Sequence, residues 1–446
     1  MVKTITWGTN RSREQQGVDE VARKRLPNAV WLVVVLAVLL VFPLAGPAQA
    51  PATVTYWTYF SDRWDLEQKL LADFKTAHPS ITVNAQLIPA DQLQQKTVTA
   101  FASGTAPDVW NTAPTFYYEF VQRGDLENLT PFVQRDKVDL NTFFPNILPD
   151  LAVPMGSGKY YALPRNYVVS LLYYNKNAFE KAGIKYPDES WDWNKVAAVA
   201  QQLTVRNSDG TVAQFGFVSS PWHTMLDPLI LSNGGEVLSA DQKSCRLTDP
   251  GAIKTIQFMV DLVQRYKVSP NPTQLKEYIV ESPDAFKAGK VAMFITGSWA
   301  ITSMREIKNF EWDVAMVPKG SVKRVIYGGP DTIVMSSSAK NKDAAWELVK
   351  FLTMKTPVSW YAAGMGLVPS VTATAMAKEW LSSTPPAHTQ VMLDSAKFMV
   401  GGFTPHWLEW QTAKRNILNQ AFFGQRPVEA AAREACAAVD KILLGK

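Results

Sequence analysis

Residues 160–183, YYALPRNYVVSLLYYNKNAFEKAG, constrain this chain more than any other stretch. Residues 160–163 read as an extended segment stopped by Pro164, and 168–174 are β-branched and aromatic enough for a buried strand. Asn175 stands where a helix N-cap would, ahead of Ala178, Phe179 and Ala182, and Gly183 supplies the C-cap. Two strands about a Pro164-Arg165 break describe either one continuous sheet with a bulge or a chain leaving one lobe for another. The flanking sequence favours the second.

At 446 residues the chain is too long for one ordinary core, so two lobes are expected. An apolar content of 47% with 15 Trp, 14 Tyr and 21 Phe argues against disorder. Residues 1–50 carry a net +3 of the whole-chain +5, so the remainder holds only +2 and gives no global basic signal for nucleic acid. Arg23-Lys24-Arg25, the apolar run 29–44 and the small residues Gly46, Ala48 and Ala50 describe an export signal, or a short anchor if it stays attached. Ala48-Gln49-Ala50 resembles a cleavage site, but Pro51 follows; a cut after Ala48 or Ala52 avoids it. No Cys lies in the leader, which excludes a lipid-anchored form, so the chain is expected in the periplasm or on the outer face of the cytoplasmic membrane. Cys245 and Cys436 have no metal-ligand spacing and are either paired or separate thiols. Four scattered histidines (His78, His223, His388, His406) point to no metal site.

Downstream, 54–59 alternate as a first strand. Leu66, Leu70, Leu71 and Phe74 recur at helical spacing, and 81–88 form the next strand, a βαβ unit. A second helix passes through the Gly/Pro turn of 100–110 into a short strand and the loop 111–115. Later helices are expected over 117–126, 192–203, 222–231, 253–266, 343–352, 407–423 and 428–444. Strands are expected over 215–217, 291–295, 312–316 and 325–335.

Tyr-Ala-Leu-Pro followed by Leu-Leu-Tyr-Tyr-Asn-Lys-Asn-Ala-Phe-Glu-Lys-Ala-Gly resembles the central signature of bacterial extracellular solute-binding proteins of family 1, the sugar receptors of ABC importers. Further matches run from about residue 54 to 443, including the crossing-back segment VIYGGPDTIVM and the late Gly364–Ser370 segment. The resemblance implies an α/β, two-lobe periplasmic-binding-protein-like fold (type II) with crossover hinge strands and a ligand cleft between the lobes. Lobe one would take 53–164 and 326–353, and lobe two 165–325 and 354–446. A carbohydrate ligand and ABC permease subunits would be the partners, with no cofactor and no chemistry on this chain.

An extracellular carbohydrate-active enzyme is the rival reading, since glycosidase carboxylates need only spatial proximity, but no motif singles it out. G-x-S-x-G and the phosphate-binding G-x-x-x-x-G-K-[ST] are absent, and no pair among the 40 Asp and Glu is singled out for glycosidase chemistry. Binding is better served, because sugars offer apolar C–H faces to aromatic rings and hydroxyls to polar neighbours. Trp57, Tyr59, Asp62 and Trp64 sit at the carboxyl end of the first strand, which faces the crevice in an open α/β sheet; Trp57 also suits a core. Asn111 joins them from the 111–115 loop. Trp299 after Gly297-Ser298 is similar to the family's aromatic from the second lobe, with core packing as the alternative. Trp222 heads a helix after a polar approach. Tyr327 and Gly328 lie where two glycines admit a close ligand or simply make a hinge. One of Trp407 and Trp410 falls where the resemblance places a late cleft aromatic. Arg165, with Arg63, is the pair an acidic ligand such as glycerol phosphate or a uronate would need, and a structural ion pair is its alternative.

Overall fold

The computed structural model describes residues 51–145, 147–154, 156–271, 283–364, 366–401, 404 and 406–445, so the expected export signal lies outside the described residues. Among them no helix is long and apolar enough to cross a membrane.

The chain opens as the hydrophobic spacing dictates. Strand β1 (Ala52–Thr58) leads through α1 (Trp64–Ala77) to β2 (Ile81–Leu87), and α2 (Ala90–Ala102) leads to β3 (Val109–Thr112) and α3 (Pro114–Gln122). β1 pairs parallel with both β2 and β3, as strands joined through helices must. The stripe Leu70, Leu71 and Phe74 is buried on α1. β4 (Ala162–Asn175) is buried at all 14 positions. The Asn175 side chain accepts the Ala178 N–H at 3.0 Å, and Gly183 at φ 64° closes α4 (Lys176–Ala182).

There follow α5 (Trp193–Leu203), α6 (Leu226–Ser232), α7 (Pro250–Gln264), β5 (Met293–Gly297), β6 (Trp312–Met316), β7 (Ile326–Met335), α8 (Lys342–Met354), α9 (Val358–Gly364), β8 (Val368–Pro369), β9 (Met399–Val400), α10 (Trp407–Phe422) and α11 (Val428–Leu443). Two expectations shift here. The helix expected from Trp222 begins at Leu226, and the strand expected over 215–217 is reduced to a bridge between Phe215 and Val291.

Both readings of the 160–174 stretch hold together. β4 is one continuous strand, and its register against β7 slips between Pro164 and Asn166, a bulge that tolerates a proline lacking its N–H. It also changes partners: residues 162–169 pair with β7, whereas 170–175 pair with β5 and β6. The sheet runs β8–β4–β7–β3–β1–β2, with β9 on β7. β4 and β7 are therefore the strands that tie its two halves.

The cores separate accordingly. Val54, Tyr56, Phe74, Leu163, Ile333 and Trp346 belong to one, between the first strands and the helices α1 and α8. Trp110, Ala162 and Val334 belong to a smaller one on the opposite face. The alternation 162/163 and 333/334 is the period of two that gives each strand two buried faces. The largest core takes the second half of β4 with β5, β6 and helices α5, α7, α10 and α11. Cys245 and Cys436 are paired, with Cα atoms 5.0 Å apart and 191 residues of separation. This bond fixes α11 to the loop ahead of α7.

Candidate functional site

A cavity of about 590 Å³ opens at the carboxyl ends of β1 and β3. Tyr59, Asp62 and Arg63 enter from the segment after β1, and Pro114 and Thr115 from the start of α3. Val168 enters from β4, Tyr327 and Asp331 from β7, and Trp299, Thr302 and Glu306 from the segment after β5. This is the edge where ligands meet open α/β sheets, because the turns there leave backbone and side chains free of the ladder. Trp299 is 43% exposed, unusual for an indole, and lies flat over its own chain: a Cβ on Gly297 would fall inside its ring. The Ser298 hydroxyl donates to the Gly366 carbonyl at 2.6 Å and pins the base of this plate.

The polar part of the wall is densely paired. Arg63 donates from Nε and Nη2 to Asp62 at 3.2 and 2.6 Å, while its Nη1 is buried without a protein partner. The Thr302 hydroxyl donates to the Gly364 carbonyl at 2.6 Å and to Asp62 at 3.3 Å. Asp331 accepts from Asn166 Nδ2 at 2.7 Å and from the Tyr59 hydroxyl. Burial pushes the Asp331 carboxyl up to about 6, against the opposing pull of those bonds and of Arg63 and Arg165. Burial, helped by Lys414 and Arg415, holds His223 well below the usual imidazole range, so it is neutral.

A second cavity of about 330 Å³ adjoins the first, sharing His223 and Tyr327. Trp407 and Trp410 both line it, and the Trp410 indole N–H donates to the Thr404 hydroxyl at 2.7 Å. Behind it the buried Lys414 pairs with Asp227.

Of the residues expected at the site, Tyr59, Asp62, Trp299 and Tyr327 meet in the main cavity, and Trp407 and Trp410 in its neighbour. Six do not line either. Trp57 is half-buried on β1 with the Lys96 ammonium 4.9 Å from its ring, since strand parity turns it toward α2. Trp64 opens α1, half-buried. Asn111 is buried with its side-chain amide 2.5 Å from the Tyr56 hydroxyl. Trp222 is half-buried beneath the Arg415 guanidinium at 4.6 Å. At Gly328 the side-chain position is filled: a Cβ there would meet Met399 Sδ at 2.5 Å and the Val168 carbonyl at 2.6 Å. Arg165 is a structural cation. Both it and Glu67 are fully buried, joined at 2.9 and 2.8 Å, with the Trp360 ring 4.1 Å from the guanidinium. Burial alone would lower its pKa, and Glu67 raises it overall.

Sequence reasoning missed Asp331, His223, Glu306 and Thr302 as lining residues. Asp331 was visible in the Tyr-Gly-Gly-Pro-Asp run and His223 beside Trp222. Nothing local marks Glu306 or Thr302, which reach the site only because β5 ends there.

Parallel strands ending on an aromatic-walled cavity, with two long strands tying the halves of the sheet, define a two-lobe α/β solute-binding scaffold. The chain belongs to the bacterial extracellular solute-binding protein family, whose profile matches residues 65–356. It is 28% identical over 421 residues to a Brucella abortus protein named only as a binding protein, covering 93% of this chain and 98% of that one. Against the multiple sugar-binding protein of Streptococcus mutans it is 25% identical over 319 residues, 68% of this chain and 72% of the relative. The fold superposes on an ABC substrate-binding protein of Listeria monocytogenes in complex with cycloalternan, with a TM-score of 0.79 at 22% identity. That match covers 88% of this chain and 99% of the other.

Proposed function

We propose that this protein is an exported receptor that binds a carbohydrate between two lobes and delivers it to an ABC importer. The observation that carries this reading is the main cavity, where the exposed plane of Trp299 faces a wall of Tyr59, Asp62 and Asp331. A sugar ring stacks its C–H face on such an indole while carboxylates take its hydroxyls. Family membership supports the role of binder, and the names of the Streptococcus relative and the Listeria neighbour support a sugar as cargo.

Lobe one comprises 53–164 and 326–353, and lobe two 165–325 and 354–446. The division is supported by the separate cores on either side of the partner change in β4. Ligand touches both lobes only when they are closed, so it shifts the population toward the closed form that a permease engages. No bond is made or broken on this chain. The test is a broad carbohydrate panel read by melting temperature and intrinsic Trp fluorescence. A stabilising sugar that also changes the emission is the expected result, and a flat response across the panel refutes the receptor.

A further inference from the structure

The charges around the main cavity narrow the cargo within that receptor reading. Asp62, Arg63, Glu306 and Asp331 line it together with the neutral His223. Arg63 is engaged along one edge: Nε and Nη2, which would grip a phosphate or carboxylate in bidentate fashion, hold Asp62, and Nη1 alone is buried without a protein partner. Its guanidinium carbon lies 4.7 Å from the Trp360 ring and 5.8 Å from the Phe60 ring, which fixes it against the wall. Glu306 takes the Lys287 ammonium at 2.5 Å. Arg165 is held by Glu67 behind the wall, and Arg305 beside Arg63 donates to the Pro385 carbonyl and the Ser383 hydroxyl.

Asp331 is left. It is 5% exposed, and no ion pair among the described residues includes it. A carboxylate has about four acceptor sites, and its protein partners here are the Asn166 amide and the Tyr59 hydroxyl. Asn166, opposite it in the β4–β7 register, has its own Oδ1 buried without a protein partner. The two strands thus present an acceptor-rich spot at the cavity wall.

We propose that Asp331 is the specificity-determining residue of the cleft, accepting hydroxyl or amine donors of an uncharged or basic sugar and excluding sugars that carry a carboxylate or phosphate. An anion entering here meets a desolvated like charge, and Arg63 offers it a single Nη1 donor rather than an open fork, so its exclusion rests on built-in repulsion. A hydroxyl or ammonium instead supplies the donor that the buried carboxylate lacks. The raised Asp331 pKa is in keeping with a charge that is under-compensated until such a donor arrives.

The test is calorimetric titration of the full chain at pH 7.5 with probes of three charge classes. Maltose and cellobiose are the neutral probes, chitosan disaccharide the basic one, and digalacturonic acid and sn-glycerol 3-phosphate the anionic ones. Wild type should bind a neutral or basic probe and neither anion. Asp331→Asn, which keeps the shape, should weaken that binding by about ten- to a hundredfold, the scale of one hydrogen bond to a charged group. It should also relax the exclusion of the anions, and Asp331→Ala should do the same. Anion binding by wild type, or neutral and basic affinities unchanged to within about twofold in both variants, overturns the assignment of Asp331 while leaving the receptor reading in place. Silence from every probe overturns both.

Discussion

The Arg165–Glu67 pair supports a prediction that separates scaffold from cleft. Glu67 receives two bonds from Arg165, one from the Tyr56 hydroxyl at 2.8 Å and one from the Trp360 indole at 2.9 Å, all of them buried. Removing one member of a buried pair costs about 3–5 kcal/mol, because the survivor is left charged and dry. Glu67→Leu strands the two Arg165 donors and the Trp360 indole, while Tyr56 keeps Asn111, and belongs at the upper end, about 5 kcal/mol; Arg165→Met strands fewer and belongs nearer 3 kcal/mol. The double variant removes both charges and leaves the Trp360 indole unpaired, since the Tyr56 hydroxyl keeps Asn111. It should cost about 2–4 kcal/mol, well short of the sum. Urea unfolding followed by fluorescence and circular dichroism measures all three. Calorimetry with a sugar identified from the panel, at temperatures where each variant is folded, should show Arg165→Met binding within a few-fold of wild type. Additive costs, or an Arg165→Met protein of native stability that no longer binds sugar, would refute the reasoning and return Arg165 to the cleft.

Three further outcomes follow from the same geometry. Replacing Cys245 and Cys436 by Ser should lower stability by about 5 kcal/mol on loop-closure grounds, measured as a fall in the urea midpoint; an unchanged midpoint would show the unfolded chain is not constrained by the bond. Asp331, raised to about 6 in the folded state, gives stability that is fully present below its unfolded value near 3.8 and is lost as pH rises through 6. Relative to Asp331→Asn, the ligand-free wild type should therefore gain up to about 3 kcal/mol between pH 7.5 and pH 4, and a pH-independent gap would contradict the burial. Trp299→Ala should weaken sugar binding by about thirtyfold or more, as central aromatic anchors do, and Gly297→Ala should approach it by forcing the indole off its seat. A Gly297→Ala protein with native affinity and native emission would show the ring is not held by that contact.

Most elements were legible because periodicity and caps act locally. Asn175 and Asp192 cap the helices that follow them, and the stripe of α1 is buried as its spacing requires. The site was less legible, since a cavity is made where separate strands end. The carboxyl-edge rule puts Tyr59 and Asp62 where the cavity opens, yet the parity of β1 carries Trp57 away from them. Between the two readings open for Arg165 the sequence cannot choose, because its destination depends on Glu67, 98 residues earlier, and on a bulge marked only by a proline. Asp331 was passed over for the glycines before it; Gly328 exists to let β7 lie against Met399 and the β4 carbonyl, whereas the carboxylate three residues on reaches the wall. The cysteines gave no sign of pairing, because nothing within either segment shows that α11 returns to the loop before α7.

The indole over Gly297 has a consequence for how fast and how tightly a guest can be received. A large side chain left standing in water normally samples several rotamers, and capturing it in one costs roughly 0.5–1.5 kcal/mol on association. Trp299 rests on a backbone that has room for it only because residue 297 lacks a side chain, so that ordering is complete once the chain has folded. For the receptor proposed above, an arriving guest would find a landing surface already in position, and its contact with that surface would carry little of the usual entropic toll.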